Sequence, residues 1–194
     1  GDGYSEEWKE EALKRGLTNI SHVPEAIMRF NDKQSREVLI GENIFNENEL
    51  ICRIEVELEK FTKKVQIESR VLGDLAINHI VPTAVIYQNR LLENLRGLRE
   101  TFSQVEYEML GADRRELVKE IQFRILEIKQ LVREMTEARR ISNRLTSQVE
   151  KAYSYEEKVR PYMEQIREHI DHLELEIDDE IWPLPKYREL LFTK

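Results

Sequence analysis

A chain of 194 residues is long enough for one good core or two small ones. Charged residues make up 35%, aromatics only 8%, and the mean hydropathy is -0.59; this balance suits helices with wet outer faces and argues against a sandwich, a barrel or a transmembrane helix. A net charge of -8 and a pI near 5.3 argue against a nucleic-acid-binding protein, which would need clustered Lys and Arg to hold phosphates.

In chain order, Ser5 stands at a helix N-cap, with Glu6 and Glu7 opposing the positive end of the helix dipole. That helix is expected to reach Arg15 and close at Gly16 in a left-handed turn. Pro24 suits the first turn of a short helix, and Asn31 and Gly41 bracket another, Asp32 to Ile40. These elements, within 1–45, are too short to stand alone. Trp8, Leu17, Ile20, Phe30, Val38, Leu39 and Phe45 are the expected anchors that hold them across longer helices.

Asn46 and Glu49 form a capping box that opens a helix expected over 46–108. Leu50, Ile54, Leu58, Phe61, Val65, Leu72 and Ala76 recur at spacings of three and four and so share one face. The stripe resumes after Pro82 as Ala84, Leu91, Leu95, Leu98, Phe102 and Val105. A straight rod over Asn46 to Gln104 would be roughly 90 Å long, so the rest of the chain must run back along it. Pro82 lacks an amide donor and clashes with the carbonyl of Asn78, which predicts a kink near Asn78 to Val81. Glu68 and His79 fall on the apolar face by phase, each needing a partner on a neighbouring helix. Cys52 cannot make an intramolecular disulfide, which fits a reducing cytoplasm, and reads as a half-buried structural thiol.

Gly111 makes a turn, and Asp113 with Glu116 gives a second capping box for a helix over 113–152, a stretch without Gly or Pro. Its stripe is Leu117, Ile121, Ile125, Ile128, Val132, Met135, Ile141, Leu145 and Val149. Arg139, Arg140 and Arg144 are interrupted by acids and read as part of a solvated outer face. Ser154 and Glu157 repeat the capping pattern for a third helix over 155–181, with Pro161 disturbing its start. The tail 182–194, with Pro183, Pro185, Leu190, Leu191 and Phe192, is expected to dock. The expectation is therefore all-α: an elongated antiparallel bundle of three long helices, the first kinked at Pro82, in a single domain with short N-terminal helices across it.

Little in this pattern carries chemistry. Asn78, His79, Thr83, Tyr87, Gln88 and Asn89 gather at the kink, where they either satisfy backbone groups freed by Pro82 or form a ligand site; the first reading is favoured. His169 and His172, with Glu168 and Glu176, could be drawn as a metal pair, but paired Glu-x-x-His motifs are absent, and structural histidines are favoured. Asp178-Asp179-Glu180 reads as a solvated helix end, a poor match to the positive charge its dipole prefers. There is no phosphate loop and no Ser or Cys nucleophile signature. No secretory signal is visible, and with no methionine before Met28 the chain reads as a piece of something larger.

The run KKVQIESRVLGDLAINHIVPTAVIYQNRLLENLRGL, Lys63 to Leu98, resembles the C-terminal region of bacterial type III glutamine synthetases. YSEEWKEEALKRGL near the start and DDEIWPLPKYRELLF, Asp178 to Phe192, agree with it, so the similarity covers essentially the whole chain. That resemblance implies a parent enzyme joining ammonia to glutamate with ATP and Mg (or Mn), in a cytoplasmic double-ring assembly. Its catalytic residues would lie in an upstream domain, and no position here matches a catalytic, cofactor-binding or metal-binding motif. The implied partners are that domain and neighbouring subunits of a large homo-oligomer, with a structural or assembly role for the helices. Two other readings stay open: a free-standing helical adaptor that binds a partner helix, and a metal-dependent bundle enzyme using His169 and His172. Within the first reading, the polar group near Pro82 could instead sense a small molecule.

Overall fold

The computed structural model describes residues 5–191, and among them there is no β-strand. Three short helices come first: α1 (Glu6–Lys14), α2 (Val23–Met28) and α3 (Lys33–Leu39). The long first pass is α4 (Glu47–Leu75), a π turn at Ala76–Ile80, and α5 (Val81–Thr101). There follow α6 (Gln104–Leu110), α7 (Ala112–Ser142), α8 (Gln148–Ser154), a second π turn at Tyr155–Val159, α9 (Arg160–Glu176) and α10 (Tyr187–Leu190). These elements divide into two compact units, one made of residues 5–64 with Ser142–Glu157, the other of Val65–Ile141 with residues 158–191.

In the first unit, Leu50, Ile54 and Leu58 of α4 are buried with Ala152 of α8, and Ile27, Met28, Leu39, Ile40 and Phe45 pack on them. Asn46 opens α4 with the expected capping box: the Glu49 amide donates to Asn46 Oδ1 (2.9 Å), and the Asn46 amide to Glu49 Oε2 (2.8 Å). Ser5 caps α1 and Gly16 takes the left-handed conformation (φ 73°), also as expected. Of the expected anchors, Leu39 and Phe45 pack on this cluster, whereas Trp8, Leu17, Phe30 and Val38 are exposed and the half-buried Ile27, Met28 and Ile40 stand in their place. Each helix here is at most nine residues long and presents a single narrow stripe, so one position of phase error exchanges the anchored residue for its neighbour.

In the second unit three helical passes lie together. Gln88 of α5 reaches Val118 and Gln122 of α7, while Gly73 of α4 approaches Val132 and Met135, so α7 runs antiparallel to the first pass. His169 of α9 meets Phe123 and Arg124, and Asp178, just past its end, meets Arg90 of α5 near the level of Val118, so α9 runs antiparallel to α7 in turn. This is the expected antiparallel order of three long helices, seen within one unit.

The buried stripe of the first pass is more regular than the apolar pattern suggests. Ile54, Leu58 and Thr62, then Val65, Ser69 and Gly73, then Ala76, Ile80 and Ala84 are all buried, and each triplet repeats the last at a distance of eleven residues. An eleven-residue repeat corresponds to about 3.67 residues per turn, slightly more than a straight α-helix. Over thirty residues that difference moves the buried face by about half a position. Phe61 and Leu72, bulkier and half-buried, sit beside the buried face, and its centre holds Thr62, Ser69 and Gly73. Thr62 Oγ1 donates to the Leu58 carbonyl (2.9 Å) and Ser69 Oγ to that of Gln66 (3.1 Å), so both hydroxyls can be buried with their donors satisfied.

The interruption expected at Pro82 takes the form of a π turn. The Val81 amide bonds the Ala76 carbonyl, five residues back, and Pro82, which has no amide to donate, stands in the first turn of α5. The second π turn, Tyr155–Val159, stands in the same relation to Pro161, so one device carries two helices past a proline.

Four boundaries differ from expectation. The first pass ends at Thr101, and Ser103 with Glu106 makes a full capping box for the separate α6. Asp113 lies inside the first turn of α7 and makes no capping box there. That helix stops at Ser142, ten residues early, because Ser, Asn and Thr side chains at 142–147 offer the backbone alternatives to helix without any Gly or Pro. The cap that restarts it is Ser147, which accepts from the Glu150 amide (3.3 Å). Ser154, expected in that role, is buried against Ser142, their hydroxyls 2.8 Å apart. At the far end, α9 closes at Ile177 instead of 181.

Candidate functional site

Among the described residues, the polar side chains around Pro82 make separate contacts. Asn78 Nδ2 donates to Asp74 Oδ1 one turn back (2.6 Å), and Gln88 Nε2 donates across to the Val118 carbonyl (3.1 Å) and to Gln122 Oε1 (3.3 Å). Thr83 is buried, Tyr87 and Gln88 are half-buried, and His79 and Asn89 are exposed. Glu68, placed on the apolar face by a 3.6-residue phase, is exposed too. The eleven-residue repeat puts Val65 and Ser69 inside and leaves position 68 outside.

The two histidines of α9 occupy different surroundings. His172 is exposed and donates from Nδ1 to the Glu168 carbonyl (2.8 Å). His169 is half-buried, edge-on to Phe123 (centroids 6.0 Å apart), with Arg124 Nη1 donating to its Nδ1 at 3.4 Å. Burial, with the neighbouring Arg124 charge, holds the His169 pKa below its ordinary value. A ring nitrogen facing a guanidinium is poorly placed to take a cation. Among the described residues no group of three or more His, Cys, Asp or Glu could hold a metal ion.

The acidic end of α9 is where the tail is held. Lys186, with its side chain 12% exposed, donates from Nζ to the carbonyls of Glu174 (2.6 Å) and Ile177 (3.4 Å), pairs with Asp179, and lies 5.8 Å from the ring of buried Trp182. Arg90 Nη1 sits 3.6 Å from Asp178 Oδ2, and the Glu180 amide donates to Asp178 Oδ1 (3.0 Å). The mismatch between acidic sequence and helix dipole is thus met by a lysine ten residues beyond the end of the helix, bracketed to it by Pro183 and Pro185. Leu190 and Leu191 are exposed; the tail docks through Trp182 and Lys186, and Phe192 lies outside the described residues.

In the first unit, sequence reasoning missed an ion pair and misplaced the cysteine. Glu156, in the second π turn, has its side chain only 4% exposed, and His22 Nδ1 stands 3.0 Å from its Oε1. Nothing local marks this pair, since 134 residues separate its members. Cys52, expected to be half-buried, is exposed; it lines a shallow cleft of about 570 Å³ with Ile44, Phe45, Arg53 and Val56. Arg140 is likewise exposed and paired with Glu137 (2.7 Å), as a solvated face requires.

The arrangement thus offers helix-to-helix packing and no convergent set of reactive groups. A family described as "Glutamine synthetase C-terminal domain" matches residues 1–99. The chain belongs to this family. It is 73% identical over all 194 residues to a protein named glutamine synthetase from Bacteroides fragilis, of which the match covers 27%. It is 30% identical over 200 aligned residues to a type-3 glutamine synthetase from Dictyostelium discoideum, again across the whole chain and 26% of the relative. A glutamine synthetase from Butyrivibrio fibrisolvens is 30% identical over 95 residues, 49% of this chain and 14% of that one. The chain thus spans about a quarter of the length of the relatives that match it throughout. Among the described residues, no helix of this glutamine synthetase C-terminal domain is long and apolar enough to cross a membrane.

Proposed function

We propose that the chain is the helical C-terminal portion of a glutamine synthetase polypeptide and serves in its assembly. In that polypeptide other segments would make glutamine from glutamate, ammonia and ATP with a divalent metal, Mg or Mn. The compartment would be the cytoplasm and the partners would be the catalytic portion of the same polypeptide and neighbouring subunits of a large homo-oligomer. The observation that carries this reading is the 73% identity to a Bacteroides glutamine synthetase across the whole chain, in a fold whose polar groups are engaged in packing.

A second observation favours assembly over regulation at Pro82. Ile67 and Val71, and further on Val85, are exposed on the face of the first pass opposite its buried stripe, at 63%, 51% and 39%. Exposed apolar side chains among the charged residues of that outer side are suited to burial in a larger body. The native mass of the full polypeptide, measured by light scattering with and without this segment, tests the proposal. Collapse to smaller species on deletion is the expected result. A mass that falls only by the deleted residues would overturn it.

A further inference from the structure

The seam between α7 and α9 in the second unit closes over a cation. The Arg124 side chain is only 13% exposed, so most of its N–H groups must find acceptors within the protein. Glu120, one turn back on α7, accepts from Nη2 (2.7 Å), while Nε is buried without a partner. Nη1 donates across the seam to His169 Nδ1 (3.4 Å), on a ring set edge-on to Phe123. A guanidinium has no acceptor to offer, so this contact exists only while Nδ1 carries no proton and the ring bears its hydrogen on Nε2. A second proton on His169 would set two cations against each other where little water screens them.

We propose that His169 and Arg124 form an acid-released fastening between α7 and α9, opened when protonation of His169 turns the Arg124 guanidinium out of the seam. The guanidinium has somewhere to go. Glu120, 46% exposed, already holds one end of it, and Glu127 follows one turn on along α7. With Nε already lacking an acceptor, loss of the His169 contact leaves Arg124 bound through Glu120 alone. The other charges acting on His169 come from the same two helices: Glu127 and Glu168 favour its protonation and His172 opposes it. Residues 76–80 of the first pass also lie against α9, but their titratable member, His79, is exposed and is not among the charges acting on His169. Burial and Arg124 outweigh the two carboxylates and depress the His169 pKa, so the fastening is whole above about pH 6.5 and is lost as pH falls below it. This device does not depend on the assembly role proposed above.

Amide hydrogen exchange of the full polypeptide, read by mass spectrometry between pH 7 and pH 5 and corrected for the intrinsic effect of pH on exchange, tests the proposal. Peptides covering 120–128 and 165–173 are expected to open several-fold more readily at pH 5, by at most about tenfold per pH unit for the uptake of one proton. Peptides of the Leu50–Leu58 core should not change. His169→Gln, which keeps an acceptor and cannot be charged, should abolish the acid response, and Arg124→Met, which keeps the aliphatic stem, should weaken it. A response that survives in His169→Gln, or appears equally in 50–58, would overturn the proposal in favour of general acid unfolding. A response undiminished in Arg124→Met would overturn it in favour of burial acting alone, and no response in the unaltered protein would overturn it outright.

Discussion

Replacing Lys186 by Met keeps the aliphatic stem and removes the ammonium that closes α9. Its Nζ bonds the Glu174 carbonyl at 2.6 Å and the Ile177 carbonyl at 3.4 Å from a side chain only 12% exposed, so solvent screens these contacts weakly. Hydrogen bonds from a charged donor contribute roughly 1.5–3 kcal/mol, and a cation at a helix C-terminus roughly 0.3–1 kcal/mol. The two figures describe partly the same contact, and the Asp179 pair adds little because that carboxylate is 42% exposed. A loss of about 2–3 kcal/mol is expected, confined to the end of α9 and the tail. Trp182 is 8% exposed and Trp8 is 39% exposed, so a Trp8→Phe background leaves one buried reporter next to the latch. In that background Lys186→Met should shift Trp182 emission to the red in buffer and lower the urea midpoint of the fluorescence transition. Unchanged emission with a change below about 0.5 kcal/mol would refute the latch, since surface substitutions fall in that range.

Three further outcomes are expected. Gly73→Ala should stabilise the protein by roughly 0.5–1 kcal/mol in thermal unfolding, because a Cβ there would meet Met135 Cε and Val132 Cγ1 at 3.5 Å, an ordinary contact, and alanine is the better helix former; Gly73→Leu should instead destabilise by overpacking the same seam. Ser147→Ala should cost about 1 kcal/mol by urea unfolding as loss of an N-cap. For His169, burial and Arg124 depress the native pKa below the unfolded value, so below about pH 6.5 the unfolded state binds more protons. Its contribution to stability is complete above pH 6.5 and is lost as pH falls from there toward the depressed native value. His169→Gln should flatten the fall in melting temperature between pH 7 and pH 5.

What the sequence made legible followed from local chemistry repeated over many residues. The all-α class, the Ser5 and Asn46 caps, the left-handed Gly16 and the interruption at Pro82 each depend on residues within one or two turns. What it concealed depends on partners remote in sequence. The His22–Glu156 pair and the reach of Lys186 back to Glu174 have no local signature. Helical phase alone puts His169 beside the apolar stripe of α9 and His172 on its wet face, as the structure has them, but nothing local announces that Arg124 lies opposite His169.

The misplacement of Glu68 has a different cause, a template slightly different from the helix actually formed. A 3.6-residue phase brings Glu68 inside, whereas the buried residues repeat every eleven; the half-buried expectation for Cys52 comes from the general habit of free thiols and not from phase. Buried positions advance by three and four in an order that keeps one stripe inward across the π turn, and Ile67 and Val71 stay outward throughout. If those outer residues were merely tolerated, replacing Ile67 and Val71 by Lys would leave both the fold and the native mass of the full enzyme unchanged. Assembly through that face instead predicts an intact helical spectrum together with a reduced mass, because both side chains are already in solvent in the isolated segment and only a partner can miss them.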